Sequence, residues 1–553
     1  MSNRSLRLIP LGGMGGIGKN CNVIEIGEDI LVVDAGIQFP TDDMLGVDVV
    51  IPDFTYLEER RERVRGIVIT HGHEDHIGGL PYLLEKVSAP IYATQLARGL
   101  IETKLNANAL KNTSLHTIAD GDEIVLGPFR VTPFHVNHSI PDAVGLAIRT
   151  PAGLIVHTGD FKVDHTPLEG RPTDLSALAR LSNEGVTLLL SDSTNAESPG
   201  YTPSESQLRD AFDQVFSRAQ GRIIVATFAS LLSRVQLVIE TAARHGRKIA
   251  VAGRSMEQNV EIAEKLGYVR FPENARVQVS QINNLPDDEI VIMATGSQGE
   301  PNSALARMAL GRFRYVKIRE GDTVILSSNA IPGNETAIHS NIDNLFRRGA
   351  NVVYGRQAGL HVSGHAAQEE LKMVLNLLRP KYFVPIHGAY RMLHQHAHLA
   401  YELGIEREHV FVLDNGDVLE LTPEGARLGE PVPAEGILVD GSLVGDVGRS
   451  LLRDRMTLAQ DGIVVAKVTI EGRTGKILRE PEIISHGFVY VPEAQELLEA
   501  GEQAIAQVIA SYQGNGNGYE ADQVGLLIER RLGNFFYNET RRRPVVVSVV
   551  STS

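Results

Sequence analysis

The stretch HGHEDHIGG, residues 71–79, holds three histidines, one aspartate and one glutamate within six positions. In an extended loop alternate side chains point the same way, so His71 and His73 can reach one metal ion. Asp75 and His76 follow on the next bend and can reach a second ion. Imidazole and carboxylate suit zinc or manganese, and the single cysteine of the chain argues against a structural zinc knuckle.

Apolar segments place this loop between a strand and a helix. RGIVIT, 65–70, is a β-branched run typical of a buried strand, and Leu80, Leu83 and Leu84 fit one helix face. Ligands that follow a rigid strand can point into a cleft, while Glu74 is expected to point away. A surface loop that contains histidines by chance is the alternative, which the position after a buried strand disfavours.

Further donors follow other strand-like segments. His138 lies where a strand gives way to the turn SIPD, whereas His135 lies within the strand, so His138 is preferred as a ligand. Asp160 ends the apolar strand LIVHTGD, where a carboxylate can bridge two cations, and His157 inside that strand is expected in the core. Asp192 ends another strand, LLLSD.

The glycine-rich segment Gly13–Gly18 formally matches a dinucleotide fingerprint, with Asp34 about 20 residues later. That fingerprint needs a helix after the glycines, but KNCNVIEIG and EDILVVDAG alternate as strands do. We therefore predict a hairpin-rich start. Asp34 is expected to brace the metal loop, with a plain turn aspartate as the alternative.

Composition restricts the class of protein. A chain of 553 residues is expected to form two to four domains. No apolar stretch is long enough to span a membrane, and MSNRSLRLIPLGG lacks the apolar core of a signal peptide. One cysteine excludes an intrachain disulfide and fits the cytoplasm. With a net charge of -15, an enzyme of nucleic acids must concentrate its basic side chains in a groove.

The pattern of predicted elements changes near Thr202, where strands and helices begin to alternate. This alternation predicts a parallel sheet covered on both faces, in an inserted domain of residues 206–359. Ligand-type residues on both sides imply that one domain comprises 1–205 and 360–432. A Gly/Pro-rich linker, 433–455, then leads to a small α/β domain, 456–553.

The motifs resemble those of the ribonuclease J family, a bacterial branch of the metallo-β-lactamase superfamily with an inserted β-CASP domain. The resemblance covers nearly the whole chain and rests on VVDAG, HGHEDHIGG, HSIPD, HTGDF, DSTN, TGSQGEP, SGHA and PIHG in that order. It implies an α/β fold with a metallo-β-lactamase αββα sandwich, the β-CASP α/β domain and a small C-terminal α/β domain. His387 in PIHG is typical of the RNA-directed branch, since the DNA-directed branch has valine there.

The resemblance also implies roles for individual residues. One metal ion would be held by His71, His73 and His138. A second would be held by Asp75, His76 and His387, with Asp160 bridging the two. The implied catalytic residues are Asp75, Asp192 and His365, of which His365 would assist the 3′ leaving oxygen.

A pocket for a 5′-monophosphate is implied as well. Its residues would be Ser230, His361, Val362, Ser363, Gly364 and His365. A further, calcium-like cation would fall near the carbonyls of Leu45 and Val47 and the carboxylate of Asp440.

The implied function is 5′-to-3′ exonuclease and endonuclease activity in mRNA decay and rRNA maturation, with two zinc or manganese ions. A homodimer and an RNA-degrading assembly are the implied partners. The helix expected at Pro492–Tyr512 carries more apolar surface than a small unit readily covers by itself, which together with the resemblance favours the dimer. The alternative is that this face packs on the strands of its own unit. The alternatives are a purely endonucleolytic factor, a DNA nuclease, a scaffold subunit and a small-molecule hydrolase. The last would have no evident use for the insert.

Overall fold

A computed structural model describes residues 5–331, 334–355, 358–490, 493–512 and 520–552. The chain divides into two compact units, one of residues up to Phe39 with Val50–Ile437, the other of Pro40–Val49 with Leu438 onwards. No helix among the described residues is long and apolar enough to cross a membrane. The segment 513–518, expected to be flexible from its Gly/Asn composition, lies outside the described residues.

The first sheet has eight strands in the order β20-β19-β1-β2-β3-β5-β6-β7. Its segment of the chain contains β1 (Leu6–Gly12), β2 (Cys21–Ile26), β3 (Asp29–Val33), β4 (Val49–Ile51), α1 (Thr55–Glu58), β5 (Val64–Val68), α2 (Glu74–Ile77), α3 (Leu80–Lys86), β6 (Ile91–Ala93), α4 (Gln95–Lys104), α5 (Ala107–Asn112), β7 (Leu115–Thr117), and later β19 (Leu419–Thr422) and β20 (Gly425–Leu428). Strands β1, β2 and β3 pair antiparallel. The hairpin-rich start is therefore confirmed, and the glycines do not open a helix.

The second sheet has six strands in the order β18-β12-β11-β10-β9-β8. Its elements are β8 (Ile124–Leu126), β9 (Phe129–His135), β10 (Val144–Thr150), β11 (Gly153–His157), α6 (Leu175–Glu184), β12 (Val186–Asp192), α12 (Gln368–Leu378), β18 (Tyr382–Ile386) and α13 (Tyr390–Glu402). Buried side chains of both sheets, among them Leu8, Val68, Leu146 and Ile155, form one core. Helices α6, α12 and α13 pack on the outer face. The two sheets thus lie face to face, with helices outside.

The insert forms a parallel five-stranded sheet in the order β14-β15-β13-β16-β17. Its elements are α7 (Leu208–Arg218), β13 (Ile223–Ala226), α8 (Leu232–Arg244), β14 (Lys248–Ala252), α9 (Arg254–Leu266), β15 (Ile290–Ala294), α10 (Ala304–Ala309), β16 (Thr323–Leu326), α11 (Glu335–Arg347) and β17 (Asn351–Val353). The sheet has a hydrophobic core of its own. The parallel sheet predicted for the insert is confirmed, while the exact domain boundaries remain predictions.

The second unit contains a three-stranded sheet, β24-β23-β25. Its elements are β21 (Ile437–Asp440), β22 (Leu443–Val444), α14 (Arg449–Asp461), β23 (Ile463–Ile470), β24 (Ile477–His486), α15 (Gln495–Ser511), α16 (Ala521–Thr540) and β25 (Val545–Thr552). Helix α16 and strand β24 were not predicted. The signal for α16 was present, because Val524, Ile528, Leu532 and Phe536 recur every fourth residue.

Helix α16 changes the interpretation of α15. The α15 side chains Leu498, Ala504, Ile505 and Ile509 are buried in one cluster with the apolar face of α16. The apolar face of α15 is therefore covered within its own unit and does not by itself indicate a partner.

The segment 433–455, predicted to be a Gly/Pro-rich linker, is partly folded, and its role as a linker between domains remains a prediction. It contains β21, β22 and the beginning of α14. Its glycines serve turns between short elements rather than a flexible connection. Gly441, for example, has a φ of 59° between β21 and β22, a backbone conformation that favours glycine.

Candidate metal centre

Three neighbouring strands bring distant acidic and imidazole groups together. Strand β12 pairs parallel with β11 on one side and with β18 on the other. Parallel neighbours end at the same edge of a sheet, and Asp160, Asp192 and His387 lie at or just beyond these carboxyl ends. The loop that follows β5 in the other sheet supplies His71, His73 and His76, and His138 follows β9.

The first donor group consists of His71, His73 and His138. His71 Nε2 lies 3.0 Å from His73 Nδ1, and His138 Nε2 lies 3.1 Å from the same atom. Burial lowers the pKa of His73 to about 4 and holds those of His71 and His138 well below the usual range. Three neutral imidazoles whose ring nitrogens face one another fit a divalent transition metal.

The second donor group consists of Asp75, His76, Asp160 and His387. His387 Nε2 lies 3.3 Å from Asp75 Oδ2, and His76 Nε2 lies 3.7 Å from the same oxygen. Two carboxylates and two imidazoles, nearly all buried, again fit a divalent ion.

Asp160 contacts both groups. Its Oδ2 lies 3.2 Å from His76 Nε2 and 3.8 Å from His71 Nε2, and its Oδ1 lies 3.1 Å from His387 Nδ1. Burial alone would raise the pKa of Asp160, but His387 and His76 hold it well below the usual range. Although burial opposes it, Asp160 with Asp192 and Asp75 raises the pKa of His387 to about 10. With neutral imidazoles, the buried carboxylates of the cluster would therefore have no positive charge opposite them. A bound cation would supply that charge.

Hydrogen bonds from outside the cluster orient its rings. Asp34, in a left-handed conformation with a φ of 63° at the end of β3, accepts a hydrogen bond from His76 Nδ1 at 2.7 Å. The Thr70 backbone amide and hydroxyl also donate to Asp34, each at 2.8 Å. Asp34 thus leaves His76 Nε2 for the cluster, as expected of a brace.

His138 is held in the same manner by Gly364. Its Nδ1 donates to the Gly364 carbonyl at 2.8 Å, which leaves Nε2 facing His73. A Cβ atom on Gly364 would lie only 2.8 Å from the His138 ring, so no larger residue fits there without a shift. Close approach therefore requires glycine at this position.

Asp192 and His365 form a second pair at the rim of the cluster. His365 Nδ1 lies 2.7 Å from Asp192 Oδ2, and its ring centroid lies 4.9 Å from that of His138. The Asp192 Oδ1 accepts from the Thr194 backbone amide at 2.9 Å and its hydroxyl at 2.8 Å. A fixed carboxylate that orients an imidazole is an arrangement suited to proton transfer.

The loop 361–365 brings the expected phosphate-binding residues beside this pair. The Ser363 hydroxyl oxygen accepts from Asn195 Nδ2 at 2.8 Å and from the His365 amide at 3.2 Å. Val362 is buried, and His361 Nδ1 is buried without a hydrogen-bond partner among the described residues. Ser230 lies in the half-buried turn before α8. We did not predict Thr194 and Asn195, although both belong to the DSTN motif.

The calcium-like site takes a different form from that expected. The Leu45 carbonyl accepts a hydrogen bond from Arg455 Nη1 at 2.9 Å, and Asp440 pairs with Nη2 of the same guanidinium. Val47 lies in the same turn and is buried. The cationic Arg455 side chain thus occupies the Leu45 and Asp440 oxygens that were expected to bind calcium. In this arrangement these residues do not fit a third ion.

Family descriptions match four consecutive parts of the chain. Residues 14–210 match "Metallo-beta-lactamase superfamily" and 220–345 match "Ribonuclease J, beta-CASP domain". Residues 349–413 match "Zn-dependent metallo-hydrolase RNA specificity domain" and 450–553 match "Ribonuclease J C-terminal domain". The order of these matches is the order of the folded segments described above.

Whole proteins match over the same length. The chain is 44% identical over 558 residues to Ribonuclease J 1 of Streptococcus pyogenes serotype M3, covering 100% of this chain and 99% of that one. It is 42% identical over 550 residues to Ribonuclease J2 of Bacillus subtilis strain 168, covering 99% of each. A protein of unknown function from Enterococcus faecalis has a similar fold, with a TM-score of 0.53, 16% identity and coverage of 75% of this chain and 100% of that one. The chain therefore belongs to the ribonuclease J family, with a metallo-β-lactamase fold and inserted β-CASP domain, and is a metal-dependent ribonuclease.

Proposed function

We propose that this ribonuclease degrades RNA from the 5′ end, favours a 5′-monophosphate and also cleaves internally. The observation that carries the proposal is the loop 361–365, which holds Ser363 and His365 two residues apart. Ser363 already accepts two hydrogen bonds, so its own hydrogen is left for another acceptor such as a terminal phosphate. His365 and Asp192 are hydrogen bonded to each other, and their donor atoms lie within 4.8 Å of those of Asp160 and His387 in the metal cluster.

Zinc or manganese is the proposed metal, with two ions per chain. His71, His73 and His138 would hold one, and Asp75, His76 and His387 the other, with Asp160 shared. Bound there, two divalent ions would supply charge stabilisation and an activated water for phosphodiester hydrolysis. A third, calcium-like ion at Leu45 and Asp440 would first have to displace Arg455.

One assay separates the competing functions. The protein is incubated with manganese and a 5′-labelled RNA, and the products are resolved by length. Release of labelled mononucleotide identifies a 5′ exonuclease, and internal fragments alone identify an endonuclease. An absence of turnover would leave only a scaffold role. We further infer a cytoplasmic enzyme of mRNA decay and rRNA maturation that acts alone or in an RNA-degrading assembly.

Ser363→Ala is expected to weaken recognition of the 5′ end. The wild type should degrade 5′-monophosphate RNA faster than 5′-triphosphate RNA, and the variant should lose about tenfold of that preference, as expected for one hydrogen bond to a charged group. The degradation rates of the wild type and of the variant are measured with each of these two RNAs. A circular RNA, which has no 5′ end, is the control and should be cleaved equally by both proteins. Equal rates on both ends in the wild type would refute the pocket.

Removal of residues after about 450 is expected to weaken self-association and RNA degradation while metal content survives. We propose a homodimer with this part of the chain contributing, since a two-fold pairing buries one surface against its own copy. Val547 and Val549 on β25 and Ile484 on β24 are exposed apolar residues available for it. Sedimentation of the full-length and shortened proteins at equal concentration is the measurement. Identical dimers would show that this segment does not determine the pairing.

A further inference from the structure

Unpaired basic residues are concentrated on one part of the insert. The sequence from Arg307 to Arg319 contains five basic and no acidic residues, in a chain of net charge -15. Among the described residues, no carboxylate forms an ion pair with Arg307, Arg312, Arg314 or Lys317. Like charges kept together without partners repel one another, so this arrangement gains nothing for folding.

These residues form one exposed surface with aromatic rings. Arg312, Arg314 and Lys317 are exposed to solvent, whereas Phe313, Tyr315, Val316 and Ile318 between them are buried or half-buried. The Arg307 guanidinium lies 5.5 Å from the centroid of the Phe313 ring. Arg348 Nε donates to the Ala309 carbonyl, which joins the end of α11 to the end of α10.

Two exposed aromatic side chains complete it. Phe346 is 49% exposed and Tyr354 is 44% exposed, and their ring centroids lie 6.4 Å apart. In the chain, Phe346 precedes the short edge strand β17 and Tyr354 follows it. We call Arg307, Arg312, Arg314, Lys317, Phe346 and Tyr354 the basic–aromatic surface. Large exposed rings beside unpaired cations are typical of surfaces that bind single-stranded nucleic acid.

The basic part of the surface lies away from the catalytic loop, whereas Tyr354 directly follows the carboxyl end of β17. Arg312 and Lys317 precede the amino end of β16, and Arg348 precedes that of β17. At the opposite, carboxyl end of β16, the Ser327 hydroxyl donates to the Leu360 carbonyl at 2.6 Å, next to the loop 361–365. A four-residue strand separates the two ends by about 13 Å. An RNA that occupies both places must therefore be longer than the part that reacts.

We propose that the basic–aromatic surface is an accessory binding site for the downstream, single-stranded part of a long RNA substrate. The inference rests on the RNA-degrading activity but not on the position of the 5′-phosphate pocket. Guanidinium and ammonium groups would neutralise phosphates, and Phe346 and Tyr354 would stack with bases. The site would hold long RNA on the enzyme between successive cleavages.

The test compares two triple variants of the full chain. Arg312→Gln with Arg314→Gln and Lys317→Gln removes three charges from the surface. Arg218→Gln with Lys265→Gln and Arg270→Gln removes three exposed charges from other parts of the insert, which form no ion pair with any residue that the structure describes. Both change the net charge equally and leave the metal ligands untouched. Thermal unfolding checks that each variant is folded.

The Michaelis constant is measured for 5′-monophosphate RNAs of about 5 and about 40 nucleotides, since single-strand sites span several nucleotides. We expect the surface variant to raise KM about tenfold for the long RNA only. Its slope of log affinity against log salt should become shallower by about 2, at about 0.7 for each lost phosphate contact. The other triple variant should match the wild type. Activity on the short RNA reports the catalytic site separately, so failure of the two proposals can be told apart.

The remaining outcomes would overturn the inference. Equal effects of the two triple variants would mean that overall charge, not this surface, attracts RNA. Unchanged KM and salt slope in both would remove the accessory site. If the surface variant alters sedimentation but not the salt slope, the surface is an interface between copies of the chain.

Phe346→Ala with Tyr354→Ala should also raise KM for long RNA, without changing the salt slope.

Discussion

Asp160→Ala is expected to abolish RNA hydrolysis, with a loss of roughly a thousandfold or more, because the Asp160 carboxylate lies within 3.8 Å of ring nitrogens in both donor groups. Its removal takes one carboxylate from each proposed ion and leaves His76 and His387 with less opposing negative charge. Turnover is measured with manganese and a 5′-labelled RNA, and bound metal by elemental analysis of the purified protein. We expect both to fall together.

Glu74→Gln is the matched control for Asp160→Ala. Glu74 lies within the HGHEDH motif, yet its side chain is half exposed and pairs with Lys104 instead of facing the cluster. Removal of this acidic charge should leave both turnover and metal content near the wild-type values. Full activity of Asp160→Ala with unchanged metal content would show that the metal centre has been assigned to the wrong residues.

His365→Ala is expected to lower kcat by about a hundredfold to ten-thousandfold while metal content is kept. Asp192 orients His365 through Nδ1, which leaves Nε2 for the substrate. If His365 protonates the 3′ leaving oxygen, a substrate with sulfur at that bridging position should need it far less. The measurement is the ratio of wild-type to variant kcat on the oxygen and the sulfur substrates, and we expect this ratio to shrink with sulfur.

His135→Gln is the control for His365→Ala. His135 is also a buried histidine, but it hydrogen bonds the Arg171 carbonyl and does not belong to any of the donor groups. It should retain the wild-type rate on both substrates. A loss in His365→Ala that is equally large for oxygen and sulfur would assign His365 to phosphate binding instead of leaving-group protonation.

Local sequence patterns were sufficient to predict much of the fold. The alternation of residues 21–33 indicated hairpins in place of a dinucleotide motif, and the strands confirm it. Strand–helix alternation after Thr202 indicated the parallel sheet of the insert. Such patterns arise from side-chain periodicity within one element, which neighbouring residues reveal. The fourfold apolar repeat of α16 was nevertheless overlooked.

The sequence by itself determined the chemistry of the metal centre: histidines and aspartates at strand ends, close to one another only in HGHEDH. The tertiary structure decided how they meet. His387 lies against Asp75, 312 positions earlier, because β18 joins the sheet beside β12, a pairing that no local pattern specifies. It also decided that Gly364 holds His138, and that Arg455 takes the oxygens of Leu45 and Asp440. The physical reason is that local periodicity specifies individual elements, whereas sheet order and packing select the long-range contacts among them.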